Sequence, residues 1–84
     1  MGSILFDGVT FRAHPDDHEP PHLHGRYQDV VVIVELLPGR LVRLARRKDA
    51  ILPPDAKRNQ VKHVLEVAQM HFDELMEKWE AAHA

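Results

Sequence analysis

The chain has no cysteine in its 84 residues. Disulfides, thiolate metal ligands and thiol redox chemistry are therefore excluded, and a reducing cytoplasm is the compartment that fits. Long apolar runs are missing too: nothing approaches the roughly 20 residues that a membrane-spanning helix needs. The first residues, MGSILFDGVTF, lack a basic segment and carry Asp7 inside their apolar stretch, which argues against a signal peptide. Aromatic residues are scarce, with one Trp, one Tyr and three Phe. None accompanies the basic segment 40–48, which weakens single-strand recognition by stacking. A net charge of only −2 argues against a general nucleic-acid coat.

What is present reads as one small domain, residues 1–84, with 44% apolar and 29% charged residues, in the ordinary globular range. A chain of this size buries only about two-thirds of its unfolded surface, so its stability margin is thin. Charge is unevenly spread. Residues 28–60 hold seven bases against four acids, and residues 61–84 hold five acids against Lys62 and Lys78, a pattern that permits a local anionic partner.

Hydrophobic periodicity predicts an α+β fold: an antiparallel meander of about four strands over residues 3–47 and one long helix over 55–82, packed on one face. Val9, Phe11 and Ala13 alternate with Thr10, Arg12 and His14. Pro15 to Pro20 form a polar loop, His22–Tyr27 the next strand, and Arg40–Arg46 a returning strand after the Pro38-Gly39 turn. The run VVVIVELL at 30–37 does not alternate, so it reads as a central strand covered on both faces or as a subunit contact, which makes a homodimer an expectation. Pro53-Pro54-Asp55 resembles a helix start. Val61, Val64, Leu65, Ala68, Phe72, Leu75, Met76 and Trp79 then recur at helical spacing, and His71 lies at the margin of that stripe.

Four of the seven histidines fall in HPDDHEPPHLHGR, residues 14–26. A hairpin folded on the loop pairs residue 14 with 22, 12 with 24 and 10 with 26. Thr10, Arg12, His14, His22, His24 and Arg26 then share one polar face, opposite the helix; a one-residue slip would bury the whole set. Three readings fit that face. His22 and His24, with His18 or Asp17 as a third ligand, could hold a divalent metal. Two histidines could instead exchange protons with a phosphodiester, without metal, while Arg12 or Arg26 offsets developing negative charge. The bland alternative is a solvated turn stiffened by Pro20-Pro21, with Asp17 accepting loop hydrogen bonds. The segment Arg40, Arg43, Arg46, Arg47, Lys48 places Arg43 and Arg47 on one side of a strand. It reads as a solvated edge or as a surface for RNA, DNA or an acidic partner.

Phe6-Asp7-Gly8-Val9, the string Asp17-His18-Glu19-Pro20-Pro21-His22-Leu23-His24, and His71-Phe72-Asp73-Glu74-Leu75 with Trp79 together resemble the domain-of-unknown-function-4160 family of small bacterial proteins. The resemblance implies a compact α+β protein whose gene often lies beside one for a second small domain. It also implies a role as the toxin component of a toxin–antitoxin pair. Asp17, His18, Pro20, Pro21, His22 and His24 carry over as signature residues. His14 does not, and Gly25 stands where a β-branched residue is more usual, which predicts a looser strand. The resulting expectation is a toxin-type module with His22, His24, His18 and Asp17 as catalytic residues and Arg12, Arg26, Arg43 and Arg47 binding substrate. RNA is the expected substrate, no cofactor is required, and a small antitoxin-type protein silences the site. The alternatives are a non-catalytic regulatory module that pairs through its VVVIV strand, and a metal protein using His18, His22 and His24.

Overall fold

Short alternating segments joined by tight turns make the first half of the chain a meander. The computed structural model describes residues 3–84. Its strands are β1 (Ser3–Phe6), β2 (Val9–Arg12), β3 (His22–Tyr27), β4 (Val30–Leu37), β5 (Leu41–Leu44) and β6 (Ile51–Leu52), followed by α1 (Arg58–Met70) and α2 (Phe72–Ala82). Strands β1 to β5 lie in sequence order, all antiparallel, and β6 pairs with β4 beyond the end of β5. The sheet is thus larger than the four strands expected. Asp7 (φ 49°) and Gly8 (φ 81°) close the β1–β2 hairpin, in the doubly positive-φ turn whose twist matches that of paired strands.

The β2–β3 register is the expected one, with Thr10 opposite Arg26 and Arg12 opposite His24. Val9, Phe11, Leu23, Val32, Val34 and Leu36 consequently share the face beneath the helices, where Val64, Val67, Ala68 and Leu75 complete the core. Gly25, also on this face, lets α1 approach the strand closely: a Cβ there would lie 2.8 Å from Val64 Cγ1 and 2.9 Å from Phe11 Cε1. The loosening expected from this glycine is therefore corrected, because the missing side chain is what admits the helix.

The missing alternation in β4 has an internal cause. Between β5 and β6, residues 45–50 leave the sheet edge and fold over it. Ala45 N–H donates to the Ile33 carbonyl at 3.0 Å and Ile33 N–H to the Ala50 carbonyl at 2.8 Å. Ala45 and Ala50 cover Ile33 on the face away from the helices. Strand β4 is therefore central and paired on both sides, so it is not the free strand through which a second subunit or partner was expected to dock. Among the described residues, the unpaired strand edges are the outer sides of β1, β5 and β6.

Two helices replace the single one expected over 55–82. Pro53 and Pro54 each push the preceding residue out of the helical region, so Leu52 stays in β6 and the helix waits until Arg58, where the Lys57 N–H is accepted by Gln60 Oε1. The stripe from Val61 to Trp79 continues across the break at His71 (φ −115°, ψ 33°). Hydrogen bonds also pass through it, from His71 N–H to the Val67 carbonyl and from Leu75 N–H to the His71 carbonyl. At that residue the imidazole stacks flat on Phe6, with ring centroids 3.7 Å apart, a tertiary contact that periodicity cannot signal. No helix is long and apolar enough to cross a membrane among the described residues.

Candidate functional site

Because β3 alternates, His22 and His24 leave the sheet on the same side, and their ring centroids are 6.1 Å apart. His14, carried in by the chain just beyond β2, meets His24 edge-on at 4.5 Å. The loop then brings Asp17 back over the strand, 3.1 Å from His22 Nε2. Asp17, His14, His22 and His24 thus form one cluster, in which His14 takes a place that the family pattern did not assign to it.

One expectation about this face is corrected. His22 is not open to solvent: it is 8% exposed, and its ring lies 5.5 Å from that of Trp79. The last turns of α2 reach the 14–20 loop, where the protonated His83 ring donates from Nδ1–H to the Trp79 carbonyl at 2.8 Å and from Nε2–H to the Asp17 carbonyl at 2.9 Å. His83 also stacks on Trp79. Trp79 therefore serves as the floor under His22 as well as core, and His83 ties the Asp17 loop to it. The i, i+4 spacing of Trp79 and His83 was visible in the sequence, but nothing there linked the pair to Asp17.

The His22 ring is fixed by Nδ1–H donating to the Pro20 carbonyl at 2.9 Å. Its Nε2 therefore faces the Asp17 carboxylate. The contact is close but not aligned as a hydrogen bond. Asp17 Oδ2, His22 Nε2 and His24 Nδ1 are all buried without a hydrogen-bond partner. Buried polar atoms without partners are uncommon and costly, and three in one cluster mark a place where the fold has given up stability. With His24 Nδ1 sealed, Nε2 is the atom of that ring left to meet solvent or substrate.

The other expected residues divide. His18 is exposed and lines a depression of about 280 Å³ with Asp17, Glu19, Glu35 and Arg47. Arg43 is engaged by Glu35 at 2.7 Å, directly opposite it in the sheet, and Arg47 by Asp49 at 2.6 Å. Arg12 and Arg26 are exposed on the same face as the histidines and pair with no carboxylate among the described residues. No group of three or more His, Asp or Glu side chains among the described residues is arranged to hold a metal ion.

Burial first, and then the charge of neighbouring His14, hold the His24 imidazole below its ordinary value of 6.5. The folded chain then binds this proton more weakly than the unfolded one, so the His24 contribution to stability is present above about pH 6.5 and is lost as pH falls from there toward the lowered folded value. His83 has the opposite sign. The hydrogen bond to the Trp79 carbonyl, the largest cause, raises it, so its contribution is full below about pH 6.5 and fades as pH rises through the raised value. Urea unfolding between pH 5 and pH 8 should show both slopes. His24→Ala should flatten the acid limb and His83→Ala the neutral one; a His24→Ala protein with an unchanged acid limb would count against this assignment.

No curated protein and no solved structure matches the chain. A family model described as a domain of unknown function (DUF4160) matches residues 8–80, a span that takes in the whole histidine cluster and the Trp79 beneath it, and the chain belongs to that family.

Proposed function

We propose that the protein is the toxin-type component of a bacterial toxin–antitoxin pair and cleaves RNA without a metal, using the histidine cluster. The observation that carries this reading is the convergence of His14, His22, His24 and Asp17 at one point, with three inward atoms unpartnered. The depressed His24 imidazole is neutral near pH 7 and offers Nε2 as a general base. It takes the proton of a ribose 2′-hydroxyl, whose oxygen attacks the adjacent phosphorus. The bond to the 5′-oxygen breaks, and that oxygen takes a proton from His14, leaving a 2′,3′-cyclic phosphate and a 5′-hydroxyl. His22 is too buried to touch substrate. It is a positioning residue, which with Asp17 fixes the inner side of His24, and an antitoxin-type partner would silence the site by covering His14 and His24.

The regulatory-module reading has less support, since β4 is central and Arg40, Arg43 and Arg47 are held by Asp73, Glu35 and Asp49. The test uses the purified full chain and a single-stranded RNA in excess chelator. Cleavage that persists and yields cyclic-phosphate ends is expected. RNA left intact with and without added divalent metal, in a protein that also fails to arrest growth when expressed, would remove the proposal.

A further inference from the structure

Two hollows flank the cluster, and they differ in charge. The one containing His22 is lined by four carboxylates, Asp16, Asp17, Glu19 and Glu35, against Arg47. On the other side a groove of about 670 Å³ runs between the end of β2 and the last turns of α2, lined by Arg12, Ala13, His14, Pro15, Lys78, Ala81 and Ala82. No carboxylate lines it. Arg12 and Lys78 make no ion pair with a described residue, although Lys78 sits four positions after Glu74 on a strongly acidic helix. An unpaired guanidinium and an unpaired ammonium lining one concavity together with an imidazole make a recognition set for a phosphate, as an arginine fork and a lysine point charge. The remaining walls, alanines and a proline, are small and apolar, and the volume lies in the range of pockets that enclose a small organic ligand.

We infer that this groove is a mononucleotide site in which Arg12, His14 and Lys78 hold a phosphate while the nucleoside lies along Ala13, Pro15, Ala81 and Ala82. The choice of a nucleotide rests on the RNA-cleaving reading; the phosphate preference rests on the groove alone. Contact of His14 with His24 then places the bound phosphate beside the proposed base. The acidic hollow, by the same electrostatics, repels the RNA backbone and sets on which side of the cluster the strand enters.

The test is a ¹⁵N NMR titration of the full chain at low salt with uridine 3′-monophosphate, inorganic phosphate and uridine. The nucleotide should shift the amides of Arg12, Ala13, His14 and Lys78 and bind at least about tenfold more tightly than either of the others. Arg12→Gln with Lys78→Gln should weaken it at least about tenfold. Uridine binding as well as its phosphate, inorganic phosphate binding as well as the nucleotide, shifts confined elsewhere, or no binding at all would overturn the inference. So would wild-type affinity in the double variant. Nucleotide binding as described in a protein that never cuts RNA would sink the cleavage reading and leave the groove standing; confirmed cleavage with an indifferent double variant would do the reverse.

Discussion

Replacing His24 by alanine is expected to lower RNA cleavage by about two to four orders of magnitude, the usual worth of a positioned general base, while the fold survives. The fold should tolerate the change because His24 is half-buried and its inner nitrogen has no hydrogen-bond partner to lose. Removing an unsatisfied buried nitrogen relieves a cost of about 1–3 kcal/mol, which offsets the packing lost with the ring. His22 would be a poorer test. Its ring is packed on Trp79, held to Pro20 and placed against Asp17, so an alanine there disturbs loop, floor and cluster together. Single-turnover cleavage and a thermal melt on the same His24→Ala preparation separate the two effects. A folded variant that cuts RNA at the wild-type rate would take His24 out of the chemistry.

Replacing Gly25 by valine is expected to destabilise the domain by about 1–3 kcal/mol, the ordinary range for overpacking a close-fitted core. Two effects oppose the clash. A β-branched residue suits a strand, and losing glycine reduces the freedom of the unfolded chain, each worth up to about 1 kcal/mol. The clash prevails because both neighbours at the Cβ position, Val64 and Phe11, are themselves fully buried and have nowhere to move without shifting α1 off the sheet. In a domain of this size each kcal/mol moves the melting temperature by about 4–8 °C. Combining Gly25→Val with Val64→Ala should recover part of the loss, since residues in contact couple by about 0.5–3 kcal/mol. A Gly25→Val protein that melts at or above the wild-type temperature would show that α1 does not rest on this strand.

Much of the fold was legible because strands and amphipathic helices carry their own period. The alternation of Val9, Phe11 and Ala13 against Thr10, Arg12 and His14 is enough to rule out a one-residue slip of the β2–β3 register, since that slip would bury arginine. The alternation of β3 likewise puts His22 and His24 on one side of the sheet. Events with no period leave no such mark in the sequence. The folding of residues 45–50 over Ile33 covers the second face of the VVVIV strand, where spacing alone left open both coverage on two faces and a subunit contact. The break at His71 lies inside an unbroken apolar stripe, so only its stacking on Phe6 marks the place.

By itself the sequence determined the α+β class, the strand pairing on either side of the histidine loop and the apolar stripe that the helices lay on the sheet, because these depend on spacing along the chain. Tertiary structure alone decided that His22 is buried, that His14 joins His24, and that Trp79 and His83 close the cluster from below. The reason is physical: residues 17 and 83 meet only after the helices have folded back over the sheet, and which imidazole is sealed depends on that crossing and not on the order of residues in the loop.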